Sequence, residues 1–480
     1  MERWIWILIF PLCIIGFFGL ADDPVCFEYP AKLIFETIES GKVLENVVLP
    51  FPSEYRSSGF SIRVDPSFHI DNGLVKKVEK DEHIVRPYEE FYIYEKTSPF
   101  LTLFLDLNGG PLRIHVEYFL KREYMQFHNT GGITNIPYSN VFPHLSLDPG
   151  YPYKAYGVLE FDGQYIVFGR CKLRWGEALY PVALSDVSPY YDNFTYHAQG
   201  SGVGYTFHLI SLNATLTPEE WASQTSFVPP NADPGSPYTE RVKTLVAHRL
   251  DFLISNNRRV GICELTMVGG KYPDLYTLNP FIIYHNNFNE GYTNTMGMVD
   301  FSWTPIKGLN FYGEFALDDL VVPLTETDVK PTAYAFNLGL RKTLPTSFGN
   351  FIFGGEIAVA TEYVYNTFLP YLKFYNRVKY ISTYPISHNL VDYPIGFAYG
   401  PDASLISLRF MYFNEDTEIE LEFFNLRKGS RDIYTPYGEQ LEKVEEQFLG
   451  VSILAKWKRM EFSFIMVDGK WRTGMSWRLF

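Results

Sequence analysis

Leu309-Asn310-Phe311-Tyr312-Gly313-Glu314-Phe315-Ala316-Leu317-Asp318 alternates along its whole length. In an extended chain successive side chains point to opposite sides. Phe311, Gly313, Phe315 and Leu317 therefore share one face, and Tyr312, Glu314, Ala316 and Asp318 the other. One face is apolar and the other carries acids. A segment of about ten residues with that alternation is what a tilted strand needs to cross a bilayer.

Ile306-Lys307-Gly308, just upstream, reads as a tight reversal, and the pattern of strand, short turn and strand recurs on both sides. Asn108-Gly109-Gly110-Pro111 separates Phe100–Leu107 from Leu112–Leu120, and Asp162-Gly163-Gln164 separates Tyr153–Phe161 from Tyr165–Leu173. In Val451–Trp457, Val451, Ile453, Ala455 and Trp457 oppose Ser452, Leu454 and Lys456. After Asp468-Gly469-Lys470, Trp471, Thr473, Met475, Trp477 and Leu479 oppose Arg472, Gly474, Ser476 and Arg478. A soluble sandwich shows the same alternation. The end of the chain tips the reading toward a membrane wall: Phe480 closes a strand, as outer-membrane barrels do for their assembly machinery, although it shares parity with Arg478. The expected fold is all-β, an antiparallel transmembrane β-barrel of about 16–18 strands.

Thr217–Arg241, rich in proline, and Tyr380–Asp402 read as long external loops, and Tyr434–Gln447 as a loop with a short helix. Residues 22–97 carry fewer strand signals, with a possible helix over Ala31–Ser40 and a charge-rich stretch over Val75–His83. They are assigned as a periplasmic or plug-like segment ahead of a barrel over 98–480. Residues 1–21 read as a signal peptide: Arg3, an apolar run from Ile5 to Leu20, then Gly19-Leu20-Ala21 before Asp22. A membrane-anchoring helix is the alternative for that run. No later stretch is long and apolar enough to cross as a helix, so crossing falls to strands.

Composition narrows the partners. A net charge of −14 disfavours nucleic acid. Aromatic residues make up 17% of the 480 residues, which suits both barrel girdles and carbohydrate platforms. Cys13, Cys26, Cys171 and Cys263 have no metal-ligand spacing, and no metal or cofactor is expected. Ser185-Asp186 with His197 or His248 lacks the nucleophile elbow of a hydrolase, and the protein is read as non-enzymatic.

Three segments carry more specific wording. The first holds Gly169-Arg170, Leu173-Arg174-Trp175-Gly176, Leu184-Ser185-Asp186 and Pro189-Tyr190-Tyr191-Asp192. The second is Ala247-His248-Arg249-Leu250-Asp251-Phe252. The third runs from Gly269-Gly270-Lys271 through Pro273-Asp274, Leu278-Asn279-Pro280-Phe281 and Tyr284-His285-Asn286-Asn287 to Tyr312-Gly313-Glu314 and Asp318-Asp319. In order and wording they resemble the Wzi-like capsule assembly family of outer-membrane β-barrel proteins, over about a third of the chain. Cys171 and Glu177 depart from the family's pattern. The resemblance implies a monomeric barrel that holds a surface (capsular or exported) polysaccharide in a lectin-like way, among outer-membrane lipids. A diffusion porin or structural envelope protein on the same fold is the alternative.

Parity assigns Arg170, Arg174, Arg249, Asp251, Glu314 and Asp318 to a charge network in the lumen. Trp175, Tyr190, Tyr191 and Tyr272 offer flat faces to sugar rings, and Asp186, Asp192, Asp274, Asn279, Asn286 and Asn287 offer directional polar groups. For each aromatic, strand packing or an interfacial girdle is the competing role.

Overall fold

The computed structural model describes residues 25–26, 29–52, 59–73, 84–85, 99–122, 134–137, 147–150, 153–226, 239–283, 293–320, 332–382, 387–436 and 444–478. The expected signal peptide, Phe480, Asn286 and Asn287 lie outside them, as does the middle of the helix expected within Tyr434–Gln447.

Among the described residues, eighteen antiparallel strands close into a barrel. They are β1 (Gly59–Asn72), β2 (Leu101–Gly109), β3 (Leu112–Arg122), β4 (Leu147–Gly150 with Ala155–Phe161), β5 (Gln164–Cys171) and β6 (Tyr191–Gln199). Then come β7 (Val203–Leu212), β8 (Glu240–Ser255), β9 (Arg258–Gly270), β10 (Thr293–Ile306), β11 (Leu309–Asp319) and β12 (Ala333–Thr346). The wall ends with β13 (Gly349–Ala360), β14 (Ala403–Phe413), β15 (Thr417–Lys428), β16 (Glu446–Trp457), β17 (Met460–Val467) and β18 (Lys470–Trp477). The two parts of β4 pair with successive stretches of β3 and occupy one place in the wall. Pairing of β18 with β1, from Trp471↔Asn72 to Ser476↔Ser67, closes the ring and leaves no free edge. Short turns gather at one end and long connections at the other, the Asp468-Gly469 turn between β17 and β18 being the exception.

The wall starts earlier than position 98. β1 lies within the segment assigned as periplasmic or plug-like, with Ser61, Arg63, His69 and Asp71 buried inward and Phe60 and Ile70 exposed outward. Its alternation was masked by Pro66, a residue that argues against a strand inside a sheet. Helix α1 (Ala31–Glu39) does form ahead of it. It buries Ala31, Ile34, Phe35 and Ile38 against Ile352, Met411 and Phe413, with the Phe35 and Phe413 rings edge to face at 5.5 Å. These contacts, and Gly308 N–H donating to the Ile38 carbonyl at 2.9 Å, hold α1 across the short-turn end.

Outward positions such as Phe168, Leu250, Ile262, Val299, Leu338 and Ile406 are exposed apolar side chains, and the inward positions are largely polar and buried. That is the division a bilayer outside and a packed interior require. Parity inverts the expected placement of one residue. Val167 and Cys171 point inward on β5, so Arg170 points outward, where it forms an ion pair with Asp192. Arg170 was assigned to the lumen because a charged side chain was taken to need it. An outward carboxylate on the next strand meets that need instead.

The interior is filled by three inserted stretches. Residues 43–50 follow α1, residues 172–190 connect β5 to β6, and residues 361–402 connect β13 to β14. The last two are long connections that fold inward, so Tyr380–Asp402 is not simply an external loop. It includes a hairpin of Tyr375–Ser382 and Ser387–Pro394. The stretches bond to one another: Gly176 N–H to Val47 O, Ser185 N–H to Ile395 O, and the Tyr365 hydroxyl to Val182 O. Irregular backbone in an enclosed space leaves amide hydrogens that need acceptors. The wall supplies carboxylates: Glu314 accepts from Val182 N–H at 2.9 Å, Glu356 from Leu179 and Tyr180 N–H at 2.8 Å each, and Asp318 from Tyr365 N–H at 2.7 Å.

A second set of contacts fastens the plug by charge. Arg249 binds both oxygens of Asp251 at 2.6 and 2.8 Å and reaches Asp300 at 2.7 Å. Arg259 bridges Asp251, Asp300 and Glu177 of the plug, and Arg341 takes the other oxygen of Glu177. Arg249 therefore pairs with Asp251 and Asp300, while Glu314 and Asp318 serve amides. Gly261 makes room for this cluster, since a methyl group there would overlap the Arg249 guanidinium and the Asp300 carboxylate.

Both features lead to one expectation. Arg249→Met leaves buried carboxylates with less compensation and lowers unfolding stability in detergent by about 3–5 kcal/mol. Gly261→Ala, which removes no charge but crowds this cluster, lowers it in the same direction. Urea unfolding curves superimposable on the parent for both variants would remove this cluster as a brace.

Candidate functional site

The residues singled out for polysaccharide contact do not converge on one surface. Trp175 is fully buried in the plug, paired in register with Val48, and its indole N–H donates to His208 Nε2 at 3.0 Å. The other nitrogen of His208 meets Thr195 Oγ1 at 2.7 Å, so the indole ends a polar chain inside the barrel. Tyr191 is also fully buried and donates to Ser185 O. Neither ring is open to a polymer outside. Both were chosen because an aromatic beside a glycine or in a Tyr-Tyr pair reads equally well as a platform or as packing, and packing prevails. Ser185 is buried, with its hydroxyl donating to Ile395 O and Gly396 O.

Asp186 lies near Arg174, at 3.7 Å, and both belong to the inserted stretch rather than the wall. Tyr190 lies under the Arg170 guanidinium at 3.9 Å, and Asp192 holds Arg170 by two hydrogen bonds of 2.7 and 2.8 Å. These three residues form a local brace at the outer rim of β5 and β6. Tyr272, Asp274 and Asn279 fall elsewhere, in the connection after β9. Asp274 accepts from the Thr277 N–H and hydroxyl at 2.8 Å each, and Asn279 Oδ1 from Phe281 N–H at 3.0 Å.

A cavity that the sequence reading did not single out opens at the long-loop end. Asn213, Ala214, Thr215, Leu216, Trp221, Arg241 and Tyr371 enclose about 340 Å³. Helix α2 (Pro218–Ser226) positions Trp221. Its start is a reciprocal cap, Glu220 N–H to Thr217 Oγ1 at 3.2 Å and Thr217 N–H to Glu220 Oε2 at 2.9 Å. The wording Thr217-Pro218-Glu219-Glu220 signals that cap in the sequence, but the prolines after it drew the whole stretch into a loop assignment. Arg241, at the start of β8, is exposed and lies 5.3 Å from the Trp221 ring. No carboxylate stands within ion-pair distance of Arg241 among the described residues. Tyr371 closes the wall, its hydroxyl donating to Ala214 O and its N–H to Gln224 Oε1, both at 3.1 Å.

The floor beneath this cavity is rigid and charged. Arg377 binds Asp392 at 2.6 and 2.7 Å and Glu220 at 2.7 and 3.0 Å, and reaches Thr215 O at 2.7 Å. Burial raises the Glu220 carboxyl, but the Arg377 hydrogen bonds and charge outweigh it and hold the group below its ordinary range. Lys243 donates to Lys373 O at 2.8 Å and lies over the Tyr375 ring at 3.4 Å. Lys373 donates to Ile433 O at 2.6 Å, and burial pushes its ammonium down to about 8 despite the pull of Glu220 and Asp432. An indole face, a guanidinium with spare hydrogen-bonding capacity, and polar loop backbone on a fixed floor can take up a neutral or acidic polyhydroxylated ligand.

No family model and no curated protein matches the sequence. Among solved structures the chain is similar to Wzi of Escherichia coli, an outer-membrane protein involved in group 1 capsule assembly and a carbohydrate-binding β-barrel. The TM-score is 0.60 at 13% identity, over 95% of this chain and 99% of Wzi. It is more distantly similar to OccK5 (OpdH) of Pseudomonas aeruginosa, with TM-score 0.42 at 9% identity over 88% and 97% of the two chains. A BenF-like porin of Pseudomonas fluorescens Pf-5 gives 0.39 at 8% identity over 88% and 98%. At these identities the likeness is one of fold, and the fold it shares with Wzi is the one the three motif segments pointed to.

The floor has a pH signature. A lysine held down to about 8 in the fold and free near 10.5 when unfolded makes the protein more stable as pH rises between those values. Below about 8 both states hold the proton and the dependence vanishes. Thermal unfolding of parent and Lys373→Met between pH 7 and 10 is expected to show the variant's relative stability falling as pH rises, by at most about 1.4 kcal/mol per pH unit. Parallel curves would mean that Lys373 titrates normally.

Proposed function

We propose that this protein is an outer-membrane barrel that holds a surface polysaccharide at its long-loop end without acting chemically on it. The observation that carries the reading is the combination of a packed lumen with an open cavity bearing Trp221 and Arg241. Both termini of the described wall and α1 lie at the short-turn end, which in this reading faces the periplasm. The long-loop end then faces outward, where capsular or exported polysaccharide would meet it. The fold likeness to a carbohydrate-binding barrel supports the same role. The chain works as a monomer among outer-membrane lipids, placed there by the barrel assembly machinery after removal of residues 1–21.

One observation favours the porin alternative. The inward positions of β16–β18 include small side chains, Ser452, Ser463, Gly474 and Ser476, which are partly or fully exposed. Phe448, Ile465 and Val467 pack on the core near the long-loop end, and below them that side of the lumen is less tightly covered. A narrow wet path along it would conduct without large rearrangement.

Single-channel recording and polysaccharide binding on one refolded sample separate the two readings. The expected result is binding without steady ohmic conductance, with Trp221→Ala and Arg241→Ala each weakening binding roughly tenfold, about 1.4 kcal/mol. Steady conductance with no binding would make the protein a porin. Full binding by both variants would move the carbohydrate away from this cavity.

A further inference from the structure

The outside of the barrel is not uniform. Leu250 on β8 is 41% exposed, as an outward residue on a bare wall should be, yet outward Phe207 and Val246 are 7% and 0% exposed. Outward Thr244, Glu264, Thr266 and Val268 are buried as well. The connection after β9 covers Phe207 and Val246. Leu278 and Ile282 pack on Phe207, Val246, Phe194, Tyr205 and Leu209, the Phe281 ring stacks on Tyr205 at 6.1 Å, and the Tyr205 hydroxyl donates to Pro280 O. Tyr205 is the third residue of β7, counted from the short-turn end. The connection therefore does not stand out from the long-loop rim. It folds back down the outer wall, over β6–β9.

Two properties define its surroundings. Beyond the exposed Lys271–Asp274 pair its outer side is apolar: Leu275, Phe281 and Ile283 are 87%, 84% and 70% exposed. Five of its backbone N–H groups are satisfied within the segment. Thr277 N–H bonds to Asp274 Oδ1, Leu278 N–H to Asp274 O, Asn279 N–H to Tyr276 O, Phe281 N–H to Asn279 Oδ1 and Ile282 N–H to Asn279 O, while Pro280 has no N–H. Irregular backbone facing lipid needs such internal partners, because no solvent is there to accept. Beneath the segment lies polar wall, including the His248–Glu264 pair at 3.1 Å and the Thr266–Thr295 hydroxyl contact. On a bare lipid-facing wall such groups are costly.

We propose that residues 275–283 form a lateral flap embedded in the lipid band, with Leu275, Phe281 and Ile283 against lipid acyl chains and the polar stripe of β8 and β9 shielded beneath. The occupant is lipid, because the apolar side of the flap continues the lipid-facing band of the neighbouring strands. The inference rests on the membrane-barrel reading. It also gives the third motif segment a role apart from sugar contact.

The test is nitroxide labelling of the full chain at Leu275→Cys and Phe281→Cys, with Ile406→Cys on plain wall as reference. The protein is reconstituted in phosphatidylcholine vesicles, and Cys171 and Cys263 are buried. Unsubstituted protein, labelled in parallel, sets the background. Both flap labels are expected to collide with oxygen as readily as the Ile406→Cys label and to be shielded from a water-soluble nickel chelate. Nickel access at the flap with oxygen access at Ile406→Cys would overturn the flap and leave the membrane barrel intact. Shielding from both reagents with spin–spin broadening would mean that a second copy covers the flap, and would also overturn the proposal. Nickel access at all three positions would overturn the membrane reading itself.

Discussion

The structure depends on carboxylates in the barrel wall meeting backbone amides of chain that has no regular structure. A closed strand ring satisfies its own hydrogen bonds completely, but three inserted stretches bring unpaired N–H groups into its interior. Glu314 and Asp318 on β11 and Glu356 on β13 accept them, and Gly176 is shaped by the same need. It has a positive φ of 82°, and a methyl group there would overlap the Glu314 carboxylate. A wall of apolar inward residues could enclose a core but could not hold this one. The Arg249–Asp251–Asp300–Arg259–Glu177 cluster adds a second attachment of plug to wall, at a different height of the strand register.

Where the sequence was legible, it was because one physical variable dominated. Strand alternation and short glycine turns are local, so β11, β16 and β18 could be read directly, and their faces were assigned as the structure places them. β1 was lost because Pro66 interrupts the same pattern. The inward folding of 172–190 and 361–402 is not a local property. Nothing in a run of prolines and aromatics distinguishes a loop that extends into water from one that packs in a lumen. That single ambiguity moved Trp175 and Tyr191 from the surface to the core, and it hid the mouth cavity, whose lining comes from two connections and the start of β8.

The motif segments follow the same division. Their wording resembles a family, yet the side chains within them have different tasks. Trp175 and Glu177 hold the plug, Arg170 and Asp192 brace the rim, and Asp274 and Asn279 shape a turn lying against the outer wall. Sequence likeness concentrated in such residues reports architecture. The cavity with Trp221 and Arg241 lies outside all three segments, where connections are free to vary on a common scaffold.

The three inserted stretches come from widely separated parts of the chain and are bonded to one another as well as to the wall. No one of them can swing aside as a hinged gate, because residues 172–190 are hydrogen-bonded to both of the others. The strands that complete the ring, β16–β18, have the least of this material against them. Joining β18 to β1 also brings together the segments farthest apart in the chain, where the entropy lost on closing the ring is greatest. Assembly of such a barrel has a natural order, with the wall drawn last around a core already knitted together, and its seam is the place where a fully packed interior would still leave the ring able to part.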